Sequence, residues 1–150
     1  MIRVLFVCLG NICRSPMGEA IMKKMTADRG VADDFYIDSA GTMYGIGGSP
    51  MYRNAAEKLR EYGVPAGRHV SQPLTRSDYR KYDYIICMEK SNVSAVRWIC
   101  EGDPENKIHK LLEYDGSNAD IADPWYTRDF ETTYRELTHG INCFLEYLGY

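Results

Sequence analysis

An apolar, β-branched run, Ile2-Arg3-Val4-Leu5-Phe6-Val7, leads directly into Cys8-Leu9-Gly10-Asn11-Ile12-Cys13-Arg14-Ser15 and then into Pro16. Apolar character broken only at Arg3 is what a parallel strand covered on both faces requires. Pro16 suits the first position of a helix, with Ser15 as its N-cap. Met17, Ala20, Ile21 and Met25 then recur at helical spacing before Gly30. A buried strand feeding a helix through one short loop needs partners on both sides, which points to layered α/β architecture.

The rest of the chain repeats the alternation. Residues 35–39 read as a second strand, followed by a Gly-rich loop through Ser49-Pro50. Ala55, Ala56, Leu59 and Tyr62 mark a helix face that ends at Gly63. Thr75-Arg76-Ser77-Asp78 starts a short helix, residues 82–88 supply a third strand, and Val93, Val96 and Ile99 mark the helix after it. Residues 108–112 form a weaker fourth strand. Phe130, Tyr134, Leu137, Ile141, Phe144 and Leu148 form the stripe of a long closing helix. The expectation is a small doubly wound α/β sandwich, a four-stranded parallel sheet with helices on both faces, with residues 1–150 as one domain. Ligands of such folds bind beyond the carboxyl ends of the strands, and Cys8 stands at that end of the first.

A formal net charge of −3 gives no broad basic footprint, so nucleic acid is not an expected partner. No apolar stretch reaches membrane-spanning length, and the opening residues read as structure rather than as a signal peptide. A soluble, cytoplasmic protein is expected. Five cysteines, Cys8, Cys13, Cys87, Cys100 and Cys143, form no double CxxC pattern, so neither a zinc ribbon nor a metal centre is implied. Cys87 and Cys143 are expected to pack in the core.

The first loop carries the chemistry. A nucleotide-binding loop would end in Gly-Lys-Ser/Thr, with the lysine reaching the outer phosphates; this one ends in Cys13-Arg14-Ser15. An arginine fork can hold two phosphoryl oxygens at once. Gly10 and Asn11 tolerate the positive φ that lets successive N–H groups converge on one anion. At the base of that nest, amides, helix dipole and Arg14 would favour the thiolate of Cys8, a nucleophile able to attack phosphorus, and the Ser15 hydroxyl can point at its sulfur as well as cap the helix. An acid would then be needed for the leaving oxygen and a base for water, and one carboxyl can serve as both in turn. Asp-Pro is usually a turn marker, and the chain has two, Asp103-Pro104 and Asp123-Pro124.

The longer string Val7-Cys8-Leu9-Gly10-Asn11-Ile12-Cys13-Arg14-Ser15-Pro16-Met17-Gly18-Glu19 resembles the signature of the low-molecular-weight protein tyrosine phosphatases. Asp38-Ser39-Ala40-Gly41, Tyr82-Asp83-Tyr84-Ile85-Ile86-Cys87-Met88 and Ile121-Ala122-Asp123-Pro124-Trp125-Tyr126 resemble further segments of that family, in its order. The resemblance implies hydrolysis of phosphotyrosine monoesters through a phosphocysteine, with Cys8 as nucleophile, Arg14 as phosphate binder and Asp123 as general acid and base. It implies that Leu9, Gly10, Asn11, Ile12, Cys13 and Ser15 complete the phosphate-binding loop, and that Asn11, Ser15, Ser39 and His69 form its polar support. Leu9, Ile12, Tyr44, Trp125 and Tyr126 are the implied substrate rim. Trp125 departs from the tyrosine common at that position, a change bearing on the choice of protein substrate.

By the same resemblance, Cys13 is a redox partner of Cys8, able to trap it in a reversible disulfide. No cofactor is implied. The expected partners are tyrosine-phosphorylated proteins or peptides and inorganic phosphate, as product and competitive ligand. A monomer is expected, with a weak dimer as the alternative. Three rivals remain: a protein arginine phosphatase, whose members carry threonine where this chain has Ile12; an arsenate reductase, which needs a close pair of further cysteines; and a noncatalytic phosphate-binding module.

Overall fold

The computed structural model describes all 150 residues. Strands β1 (Ile2–Cys8), β2 (Phe35–Gly41), β3 (Tyr84–Cys87) and β4 (Ile108–Lys110) form one sheet in the order β2-β1-β3-β4. All neighbours run parallel, with Val7 opposite Ala40 on one side and Cys87 on the other. The helices are α1 (Arg14–Asp28), α2 (Arg53–Glu61), α3 (Asp78–Lys81), α4 (Lys90–Ile99), α5 (Pro124–Thr127) and α6 (Phe130–Tyr147). Single 3₁₀ turns cover Ala32–Asp34 and Leu111–Glu113. The expected doubly wound sandwich is present.

Because side chains alternate along a strand, β1 belongs to two cores at once. Val4, Phe6 and Cys8 join Met17 and Ile21 of α1 and Leu137, Ile141 and Phe144 of α6. Leu5 and Val7 join Tyr79 of α3, Tyr82, and Val96 and Cys100 on the other face. Gly140 lets α6 close on the sheet end, since a Cβ there would lie 2.6 Å from Leu111 Cγ. No helix is long and apolar enough to cross a membrane.

Several local readings are corrected. Helix α1 starts at Arg14, so Pro16 is its third residue rather than its first, and Ser15 is not its cap. Proline fits there because the first N–H groups of a helix have no intrahelical acceptor anyway. Strand β2 runs on to Gly41, while β3 starts only at Tyr84 and β4 stops at Lys110, where the 3₁₀ turn begins. Cys87 is buried as expected, but Cys143 is half-buried, with its Sγ 3.9 Å from His139 Nε2. Helical spacing places Cys143 beside the apolar stripe of α6, not under it.

Candidate active site

The loop between β1 and α1 is held from outside by its carbonyls. Cys8 O accepts from Thr42 N at 3.0 Å, Leu9 O from Met43 N at 2.9 Å, and Ile12 O from Tyr52 N at 2.8 Å. Asn11 O lies 2.6 Å from His69 Nε2, which must therefore carry the proton. Carbonyls turned outward leave the amides to the concave side, where Asn11 N donates to Cys8 Sγ at 3.3 Å. Asn11 has the expected left-handed backbone, φ 56°, but Gly10 does not share it. The tight glycine is Gly41 at the end of β2: a Cβ there would lie 2.8 Å from Leu9 O and 2.5 Å from Ile46 Cδ1.

A buried amide and two hydroxyls tie the loop to β2. Asn11 Nδ2 donates to Ser15 Oγ at 2.8 Å and to Ser39 Oγ at 3.0 Å, and Asn11 Oδ1 accepts from Gln72 N at 2.9 Å. Ser39 Oγ donates in turn to Glu19 Oε1 at 2.7 Å. Ser15 Oγ, which accepts from Asn11, lies 3.0 Å from Cys8 Sγ and 3.4 Å from Ala40 O. Ser15 therefore does not cap the helix; its hydroxyl lies against the Cys8 sulfur. Asn11, Ser15 and Ser39 are fully buried, so each lost bond would leave a dry polar group.

Arg14 is 2 % exposed and aimed by three acceptors. Nη1 donates to the Glu89 carboxylate and to Ile121 O at 2.8 Å; Nη2 lies 3.3 Å from Asp123 Oδ2. Asp123 caps α5, its Oδ1 accepting from Trp125 N at 3.0 Å. Burial and the neighbouring Cys8 sulfur push the Cys13 thiol up to about 12, against weaker downward pulls from Arg14 and Arg128. Cys13 therefore stays protonated at neutral pH.

Cys8, Arg14, Asp123, Leu9, Ile12, Trp125 and Tyr126 all line one cleft of about 450 Å³. Tyr44 does not join them. It is fully exposed at the tip of a turn, while Met43 and Ile46 on either side of it face the cleft. Ile46 is drawn in by its contact over Gly41. Glu89, Gln72, Met43 and Ile46 were not singled out from the sequence. Of these only Glu89 carried a signal, an acid just past a buried strand at the ligand-binding end of the sheet.

At the carboxyl end of the parallel sheet a cysteine, a buried arginine and an aspartate share one cleft, the arrangement expected of a cysteine-dependent phosphatase. The family model "Low molecular weight phosphotyrosine protein phosphatase" matches residues 3–149, and the chain belongs to that family. The human protein named "Low molecular weight phosphotyrosine protein phosphatase" is 38% identical over 153 aligned residues, covering 95% of this chain and 93% of the relative. The crystal structure of YfkJ from Bacillus subtilis superposes with a TM-score of 0.94 at 36% identity, covering 99% of this chain and 95% of that one. DARP, a Drosophila arginine phosphatase, superposes with a TM-score of 0.89 at 29% identity, covering 98% of both chains.

Proposed function

We propose that residues 1–150 act as one domain that hydrolyses phosphotyrosine in proteins or peptides through a phosphocysteine. The observation that carries this reading is the convergence on one cleft of Cys8, hydrogen-bonded to Ser15, with Arg14 and Asp123. The substrate's phosphoryl dianion displaces Asp123 from Arg14 Nη2 and takes the loop amides and the guanidinium as its donors. Asp123, freed from Arg14, takes up a proton from solvent; Cys8 sulfur attacks phosphorus, the phosphorus–oxygen bond to the ring breaks, and Asp123 gives that proton to the departing phenolate. The Asp123 carboxylate then takes a proton from water, whose oxygen attacks phosphorus. The sulfur–phosphorus bond breaks, leaving inorganic phosphate and the Ser15-stabilised thiolate.

Leu9, Ile12, Met43, Ile46, Trp125 and Tyr126 give the cleft apolar walls suited to an aryl ring. Phosphoarginine is the second reading, favoured by the likeness to DARP. Ile12 tells against it, because a guanidinium held against an apolar side chain loses polar partners it had in water. An arsenate relay is disfavoured by burial: Cys87 lies within β3 and Cys100 in the core, and desolvation pushes both thiols upward. The remaining proposals are a cytoplasmic location, action as a monomer, and a Cys8–Cys13 disulfide that protects the nucleophile. The deciding experiment compares phosphotyrosine, phosphoarginine and phosphoserine peptides and arsenate on wild type and Cys8→Ser. Phosphotyrosine should turn over fastest and the variant should lose at least about 10⁴-fold; a phosphoenzyme trapped on any residue but Cys8 would overturn the mechanism.

A further inference from the structure

Arg128 ends α5 with φ 60°, a left-handed conformation that costs an arginine strain and a glycine none. Its side chain has an evident use. The guanidinium carbon lies 5.4 Å from the ring centre of Tyr52, 5.9 Å from that of Phe130 and 6.0 Å from that of Trp125. Nη2 donates to the Tyr52 hydroxyl at 2.9 Å, and Nη1 reaches back to Trp125 O at 3.5 Å. Tyr52 also meets Trp125 edge-on, with ring centres 4.9 Å apart.

The far side of Tyr52 is fixed to the nucleophile's loop, since its N–H donates to Ile12 O. Trp125 N is the donor that holds Asp123 Oδ1. One continuous path therefore runs from the phosphate-binding loop through Tyr52 and Arg128 to the carboxyl of Asp123. Beside the ion pair with Arg14, which substrate would take over, and the backbone bonds of Ile121 to Met88 O and Arg14, it ties the Asp123 turn to the loop that carries Cys8.

We propose that Arg128 and Tyr52 are positioning residues for the general acid, a clasp that binds the acid loop to the phosphate-binding loop and sets Asp123 against the leaving oxygen. The proposal rests on the phosphocysteine reading above and adds to it the device that aligns its two halves. Misplacing an acid by a fraction of an ångström slows the step that needs its proton and spares a step that does not.

The test is the burst-phase release of phenol from two aryl phosphates, one with a strongly acidic phenol and one with a weakly acidic phenol. In Arg128→Gly, which relieves the backbone strain and so should fold at least as stably as wild type, release of the weakly acidic phenol should slow by about 10-fold and that of the strongly acidic one by less than about 2-fold. Tyr52→Phe keeps the ring and removes the hydroxyl; it should show the same asymmetry at about 3-fold, and the double variant should be no slower than Arg128→Gly alone. Arg128→Lys, a cation without the planar fork, should stay with the glycine variant. Equal slowing for both phenols, losses that multiply in the double variant, or unchanged rates in Arg128→Gly would overturn the clasp. No release from either ester by wild type would overturn the phosphatase reading beneath it, by a distinct signature.

Discussion

Asp103-Pro104 and Asp123-Pro124 are the same dipeptide put to two uses. The Asp103 carboxylate closes a loop: Oδ1 accepts from Tyr79 Oη and Lys107 N, both at 2.7 Å, and Oδ2 from Ile108 N at 3.2 Å. All of its partners belong to the frame that brings the chain into β4. The Asp123 carboxylate accepts one amide of its own turn and otherwise faces Arg14 and the cleft. A carboxylate surrounded by fixed N–H and O–H donors is held as an anion, whereas the general-acid role proposed for Asp123 needs a carboxyl that faces an open cleft. What separates the structural aspartate from the one proposed to react is thus the inventory of donors around each.

Substituting each aspartate should separate the two roles. Asp123→Ala should lower hydrolysis of an ester with a poor leaving group by about 10²- to 10³-fold and that of a good one by much less, at a stability cost of about 1 kcal/mol for the lost cap. Steady-state rates across a leaving-group series check this; equal losses across the series would remove the acid's role. Asp103→Ala should do the reverse: turnover within about 2-fold of wild type, with stability lower by about 2 to 3 kcal/mol in urea unfolding, because three donors lose their acceptor. A large fall in turnover with intact stability would erase the distinction.

The pH dependence of Asp103 sharpens the comparison. Burial alone would raise its carboxyl, but the Tyr79 hydroxyl and the amides of Lys107 and Ile108 outweigh it and hold the group below its ordinary value of 3.8. A folded-state value below the unfolded one means a contribution that is complete above about pH 5 and fades as pH falls through the depressed value. The stability gap between wild type and Asp103→Asn should therefore narrow in acid. A gap constant from pH 7 to pH 2 would mean that the carboxylate's charge is irrelevant to its loop.

The two loop thiols repeat the contrast at smaller scale. Cys8 has a hydroxyl and an amide on its sulfur, whereas Cys13 is held as a thiol by burial and by its charged neighbours. Cys13→Ser should change turnover by less than about 2-fold, yet after brief peroxide treatment a thiol reductant should restore wild type and not the variant. Equal recovery of both would remove the redox pairing.

The sequence made the β1-to-α1 loop legible because its parts are contiguous: strand, cysteine, arginine and helix start lie within one short stretch. Asn11, Ser39 and His69 were assigned through the family resemblance; in the fold Asn11 Nδ2 donates to Ser39 Oγ, and His69 Nε2 lies against Asn11 O. Contacts made across the fold carried no such mark. Nothing in the spacing ties Arg14 to Glu89, Asn11 to Gln72, or Arg128 to Tyr52, because these pairs exist only once the sheet order is set. Tyr44 misled for a related reason: a loop without period does not dictate which side chains point inward, and the packing of Ile46 over Gly41 decided it. Of the two readings of Ser15, the helix cap is absent because α1 starts one residue earlier, at Arg14, while the contact of its hydroxyl with the Cys8 sulfur is present.

The bond from Arg14 to Ile121 O spans 107 positions. During synthesis, Cys8 and its arginine leave the ribosome long before the segment that aims the guanidinium and supplies the acid. A growing chain carries the proposed nucleophile before the carboxyl proposed to serve it, and can complete the site only when translation has passed Asp123. Because the parts of the proposed site stand at opposite ends of the chain, the order of the gene also sets the order in which the site can be assembled.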